Sequence, residues 1–236
     1  MTARRDEIEH GLLALRERIE QACATVGRDP DGVTLIAVTK TFPASDVRLL
    51  AELGVTDVGE NRDQEARAKH DECVDLPLRW HFVGQLQRNK ARSVAHYVDV
   101  VHSADRLSLV TALSTAATDA DREVTVLVQV SLGDAADESS GRAGVPPDLA
   151  LDLADAVALA PGLLLGGVMA VAPPGGDADV AFARLARAAE RIRQEHPAAA
   201  IVSAGMSADL DQAIRHGATH VRIGTALLGH RAAPVG

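Results

Sequence analysis

The sequence predicts an α/β fold: a single (β/α)₈ barrel of the TIM type spanning residues 1–236, with an extra helix at its N-terminus. Eight short apolar runs alternate with helical patterns, the order expected of parallel strands joined by crossover helices. These runs are mostly continuous rather than alternating, as in Val124-Thr125-Val126-Leu127-Val128-Gln129-Val130, which is how a strand covered on both faces reads. With 236 residues, 47% of them hydrophobic, the chain can close one such barrel, and no Pro-, Gly- or Ser-rich linker divides it.

The first helix follows from Ile8, Leu12, Leu15, Ile19, Cys23 and Val26, spaced by three and four and stopped by Gly27 and Pro30. Strands are expected at Val33–Thr39, Thr56–Gly59, Trp80–Val83, Val98–His102, Val124–Ser131, Leu163–Ala170, Ala200–Ala204 and His220–Ile223. Between them, one helix runs from an N-cap at Ser45 to Gly54. Others cover Asp63–Val74, Asn89–His96, Ala104–Ala120, Asp148–Ala158, Ala178–His196 and Ser207–His216. Ala181, Leu185, Ala188 and Ile192 form the inward stripe of the longest of these. Too little chain follows the eighth strand for a full outer helix, so the N-terminal helix is expected to cover that gap. Gly133–Pro147 reads as a loop at the C-terminal end of a strand, where barrels keep function.

Composition narrows the function classes. A net charge of −9 argues against a sequence-independent grip on nucleic acid or an anionic membrane. Cys23 and Cys73 make neither a disulfide framework nor a zinc spacing. The first residues turn acidic at once, unlike a signal peptide, and no apolar run is long enough to cross a membrane. A cytoplasmic protein is expected, and a barrel of this size can be a monomer.

Only three lysines, Lys40, Lys69 and Lys90, stand against 21 arginines. Arginine replaces lysine on a solvated face but cannot act as an amine nucleophile, because its guanidinium stays protonated. Lys40 ends the apolar run Leu35-Ile36-Ala37-Val38-Thr39, at the C-terminal rim of the predicted barrel. Apolar neighbours there would favour the neutral amine that forms an imine with a carbonyl. The plainer alternative is a strand-end lysine snorkelling to water. Lys69, in Arg67-Ala68-Lys69-His70, reads as a solvated helical residue, and Lys90 as a surface charge or rim contact.

Ser203-Ala204-Gly205-Met206-Ser207-Ala208-Asp209 joins the seventh strand to a helix through a glycine, with Ser207 where an N-cap belongs. The eighth strand leaves through Arg222-Ile223-Gly224-Thr225. Loops after strands seven and eight of such barrels frequently hold a phosphate. No G-x-G-x-x-G or Walker A pattern is present. A rim lysine and a phosphate cradle in one closed ring point to an aldehyde carrying a phosphate. Pyridoxal 5′-phosphate (PLP) fits that description, and the sugar-phosphate substrate of an imine-forming aldolase competes with it.

Several motifs together resemble the PLP homeostasis protein family, which shares the barrel of alanine racemase. They are Ala37-Val38-Thr39-Lys40-Thr41, Val58-Gly59-Glu60-Asn61, His81-Phe82-Val83-Gly84, Leu86-Gln87-Arg88-Asn89-Lys90, His102-Ser103, and the segments around Ser207 and Thr225. The likeness covers nearly the whole chain in order. It implies that Lys40 holds PLP as a Schiff base, that Ser207, Gly224 and Thr225 bind the phosphate, and that Asn61 lies beside the ring. It further implies that Arg222 faces the pyridine nitrogen and that Ser203 and Met206 line the site. Arg62, Gln85 and Arg142 depart from the common pattern.

The same resemblance implies a protein that buffers PLP and passes it transiently to PLP-dependent apoenzymes. A cation facing the ring nitrogen weakens PLP as an electron sink. A racemase of the related fold also takes a tyrosine base from a second domain. No such domain is expected in the eleven residues after Thr225, and Tyr97 reads as packed. His81 and His102 are candidate bases, although single histidines are more often structural. A PLP-dependent racemase is therefore the runner-up, ahead of a sugar-phosphate aldolase.

Overall fold

The computed structural model describes residues 2–133 and 144–229. Most of the Gly133–Pro147 loop, Arg142 included, lies outside the described residues. Eight parallel strands close on themselves in sequence order. They are β1 (Thr34–Val38), β2 (Asp57–Glu60), β3 (Arg79–Phe82), β4 (Val100–Ala104), β5 (Val124–Gln129), β6 (Leu163–Met169), β7 (Ile201–Ser203) and β8 (His220–Ile223). Pairing of Leu35 with Val221 and Ala37 with Ile223 joins the last strand to the first. The expected barrel is the one observed.

The surrounding helices are α1 (Thr2–Ala24), α2 (Ala44–Glu52), α3 (Asp63–Glu72), α4 (Ala91–Ala95), α5 (Leu107–Asp119), α6 (Ala150–Ala158), α7 (Ala178–Glu195), α8 (Leu210–Arg215) and α9 (Thr225–Leu228). Ile8, Leu12, Leu15, Ile19 and Cys23 of α1 are buried against Leu210, Ile214, Leu227 and Leu228, so α1 fills the gap that the four-residue α9 leaves. The stripe Ala181, Leu185, Ala188 and Ile192 of α7 is buried as its spacing requires. None of the helices among the described residues is long and apolar enough to cross a membrane.

Three local expectations are corrected. No helix covers Asn89–His96 from its start: Arg88–Lys90 form a 3₁₀ turn before α4. Ala104 belongs to β4, where it pairs with Val128 across a register shift, rather than opening a helix. Ser45 is not the N-cap of α2; Pro43 occupies that position, and no side chain caps the end. Proline is extended there and sets the chain direction without needing an acceptor.

Candidate functional site

The C-terminal ends of β1, β2, β7 and β8 surround a cavity of about 380 Å³, within the usual range for a small-molecule site. Its walls include Lys40, Asn61, Met206, Ser207, Arg222, Gly224 and Thr225, with Val38, Val83 and Val171 as apolar lining. Seven of the eight residues singled out from the sequence thus meet in one place. Ser203 is the exception: it lies buried and accepts a hydrogen bond from Arg222 Nη1 at 2.7 Å. Among the described residues, no carboxylate lines this cavity. A larger groove, of about 1090 Å³, runs outside the barrel past α1, α2 and α3. Glu7, Asp46, Glu65 and Glu72 in its walls suit an anionic ligand poorly.

Lys40 follows β1 after one residue, Thr39, and its side chain is exposed at the mouth rather than desolvated as expected. The peptides on either side of it are tied down. Lys69 Nζ donates to Thr39 O at 2.6 Å, and the Thr41 N–H donates to Glu65 Oε1. Thr41 sits at φ 70°, a left-handed conformation that a β-branched residue adopts only when its surroundings impose it. A free-swinging rim lysine is thereby given a fixed root.

Lys69 is the principal correction to the sequence reading. It is buried, not solvated, and pairs with Glu60 Oε1 and Glu65 Oε1, each at 2.7 Å. Helix α3 aims it back over the barrel rim, where its stem packs and its charge meets two acids. Burial pushes the Glu60 carboxyl above its ordinary value, against the opposing bonds from Lys69 and Thr39. Glu60 Oε2 has no partner among the described residues.

Asn61 continues from Glu60 and leans against Gly84, where a Cβ would collide with both the side-chain and main-chain oxygens of Asn61. The absence of a side chain at Gly84 therefore seats Asn61 at the cavity. Gly84→Ala is expected to lower stability by about 1–3 kcal/mol, the cost of overpacking against backbone, as read by denaturant unfolding.

Gly205 turns the chain out of β7 at φ 93°, a conformation suited to glycine. Ser207 is not the helix cap that the sequence pattern implied. The helix starts three residues later, because Asp209 Oδ1 accepts the Met206 N–H at 2.6 Å and holds a tight turn ahead of α8. Ser207 is left at the cavity wall, and Arg18 of α1 steadies its carbonyl at 2.6 Å while pairing with Asp211. The N-terminal helix thus supports the site as well as the core.

Arg222 reaches the cavity from inside the barrel and is only 5% exposed. Its Nη2 donates to Ala170 O at 2.8 Å, and burial lowers its pKa to about 10, so it remains a cation at neutral pH. Tyr97 is packed away, its hydroxyl donating to Asp63 Oδ1 at 3.2 Å, and burial raises its pKa. His81 and His102 are buried within the barrel and absent from the cavity wall. Their hydrogen bonding to Asp57, to each other and to Ser203 answers to a structural role rather than to that of a base. The sequence signal for this group was two histidines, each inside a predicted strand.

Residues 11–232 match the family model described as alanine racemase, N-terminal domain. A pyridoxal phosphate homeostasis protein of Mycobacterium bovis is 41% identical, over 97% of this chain and 94% of its own length. The structure of PipY from Synechococcus elongatus with PLP bound superposes with a TM-score of 0.80 at 34% identity, over 94% of this chain and 100% of that one. An alanine racemase of Clostridium difficile shares the fold at a TM-score of 0.75 and 14% identity, covering 97% of this chain and 58% of its own. With the barrel, the rim lysine and these likenesses together, the chain belongs to the pyridoxal phosphate homeostasis protein family, built on the alanine racemase barrel.

Proposed function

We propose that this protein binds PLP through Lys40, holds it in reserve and passes it to PLP-dependent apoenzymes, without turnover of its own. The observation that carries this reading is the cavity itself, which gathers an exposed primary amine, a buried guanidinium and two hydroxyl residues, with no acid among the described residues of its wall. That donor set fits a phosphorylated aldehyde. When bound, PLP supplies an electrophilic carbonyl that joins a primary amine with loss of water.

Lys40 Nζ is the amine. Ser207 and Thr225 offer hydroxyls, and Gly224 an unshielded main chain, to the phosphate oxygens. Asn61 and Met206, in the cavity wall, would contact the bound group, and Ser203 accepts a hydrogen bond from Arg222. Arg222, as a cation, would disfavour protonation of a pyridine nitrogen placed beside it and so would limit carbanion chemistry. Among the described residues, Lys40 and Arg222 are the only ionisable side chains lining the cavity, and none of these residues offers it a second base for racemisation. A monomeric, cytoplasmic carrier acting as one barrel unit over residues 1–236 completes the reading, and the unpaired, buried Cys23 and Cys73 accord with it.

Borohydride reduction of PLP-loaded protein followed by peptide mass spectrometry tests this directly. A pyridoxyl adduct on Lys40 is the expected result. A label elsewhere, or none, overturns it, and trapping of a sugar phosphate on Lys40 instead would favour the aldolase. Cα deuterium exchange across a panel of amino acids should not exceed that of free PLP; a faster exchange establishes a racemase.

A further inference from the structure

Five side chains from five strands form one unbroken hydrogen-bonded chain through the barrel interior. Arg222 Nη1 donates to Ser203 Oγ at 2.7 Å, and Ser203 Oγ meets His102 Nδ1 at 3.0 Å. His102 Nε2 meets His81 Nδ1 at 2.9 Å, and His81 Nε2 meets Asp57 Oδ1 at 2.8 Å. Every link is buried or nearly so. One end lines the cofactor cavity. The other, Asp57, lines a separate cavity of about 380 Å³ at the opposite pole of the barrel, beside Thr34, Val55 and Thr56. Among the described residues, no group of histidines and acids is arranged to hold a metal ion.

The two ends dictate the direction of every bond. A guanidinium only donates and a carboxylate only accepts. Suppose Ser203 accepted from both Arg222 and His102. His102 would then carry its proton on Nδ1, His81 likewise, and His81 would turn a bare Nε2 lone pair toward the Asp57 carboxylate. That contact is repulsive, so this polarity is excluded. In the remaining arrangement Ser203 donates to His102 Nδ1, His102 Nε2–H donates to His81, and His81 Nε2–H donates to Asp57. Burial holds both imidazoles below their ordinary pKa and therefore neutral. Burial also pushes the Asp57 carboxyl upward, but bonds from His81 and Thr56 outweigh it and keep the carboxylate ionised. The other ionisable groups facing the chain are Arg79, Asp99 and His220 around His81, and Asp209 toward Arg222.

We infer that Asp57 is a positioning residue for Arg222, acting across the barrel through the two neutral, tautomer-locked histidines and Ser203. Among the described residues, Arg222 has no carboxylate hydrogen-bond partner; its side chain bonds to Ser203 Oγ and Ala170 O. The aligned dipoles of Ser203, His102 and His81 turn their acceptor ends toward the guanidinium, and Asp57 terminates them with a full negative charge. Such a chain fixes the guanidinium in one orientation at the cavity floor. Its bearing on PLP rests on the reading above; its existence does not.

The test starts with cofactor-free protein, so that its outcome is independent of PLP binding. Nitrogen-15 NMR of the histidine rings should show Nε2-protonated, neutral tautomers for His81 and His102 at neutral pH. A doubly protonated ring, or an Nδ1-protonated one, overturns the inference. In Asp57→Asn an amide that can donate or accept no longer imposes a direction. His102 should then lose its single tautomer, and the Arg222 guanidinium signals should shift, although residue 57 touches neither; Asp57→Glu should restore both. A folded Asp57→Asn protein with His102 and Arg222 signals unchanged overturns it, as does failure of the Asp57→Glu rescue. In PLP-loaded protein the same variant should move the pH midpoint of the bound-cofactor absorption band by about half a unit or more. Absence of that band in the wild type would count against PLP binding and leave the tautomer result standing.

Discussion

Lys40→Ala abolishes retention of PLP through gel filtration and removes the reducible adduct, while the melting temperature of the cofactor-free protein changes by no more than about 2 °C. The argument rests on how differently the three lysines are placed. Lys40 is exposed at the cavity and has no ion-pair partner among the described residues, so its removal breaks no packed contact. Lys69 cannot substitute, because its ammonium is committed to Glu60, Glu65 and Thr39 O. Lys90 is half-exposed, lies 3.7 Å from Asp63, and is absent from the cavity wall. Variants should therefore rank simply: Lys90→Ala retains the cofactor and Lys40→Ala does not. Equal retention by both would remove Lys40 from the site.

Lys69→Met is expected to be the most destabilising of these changes, costing about 3 kcal/mol or more and lowering the melting temperature by roughly 10 °C. Methionine keeps the apolar stem but strips the charge that compensates Glu60, whose side chain is only 1% exposed. Breaking one partner of a buried pair leaves the other charge stranded, which costs far more than the intact pair contributes. The peptide before Lys40 also loses the donor to Thr39 O, so PLP affinity should fall with stability.

The pH dependence follows from the sign of the Glu60 shift. Burial raises its folded pKa, so between the unfolded and folded values the native state binds the extra proton, and stability declines as pH rises through the folded pKa. Without Lys69 that rise is larger. The deficit of Lys69→Met should accordingly be greater at pH 8 than at pH 5, measured by denaturant unfolding. Adding Glu60→Gln should recover part of it and flatten the pH dependence. A deficit that is independent of pH, or unrelieved by Glu60→Gln, would mean that packing rather than charge carries the effect.

The Lys69 network is built by contacts that the local sequence does not encode. From Arg67-Ala68-Lys69-His70 the residue looks like an ordinary solvated cation, because helical phase alone does not reveal what lies across the rim. Glu65, four residues earlier on α3, meets it by helical phase, but Glu60 and Thr39 O meet it only because α3 folds back across the ends of β1 and β2. Ser207 failed as a helix cap for a similar reason. The pattern of serine before an apolar stretch was right, but a carboxylate two residues on, Asp209, captured the Met206 N–H and delayed the helix. The boundary at Ala104 moved because strand pairing with Val128 outweighed local helical preference.

What lay open in the linear order was the barrel and its mouth. Eight continuous apolar runs separated by helical periodicity require a parallel sheet with both faces covered, and strand ends place Lys40, Asn61, Ser207 and Thr225 at one pole whatever the details of packing. These are consequences of period and order, which are local properties. The buried Lys69–Glu60 pair and the Asp57–His81–His102–Ser203–Arg222 chain were decided only in three dimensions. Closing the ring brings residues up to 165 positions apart into a space without water, where each polar group must find a partner whose identity no local pattern encodes.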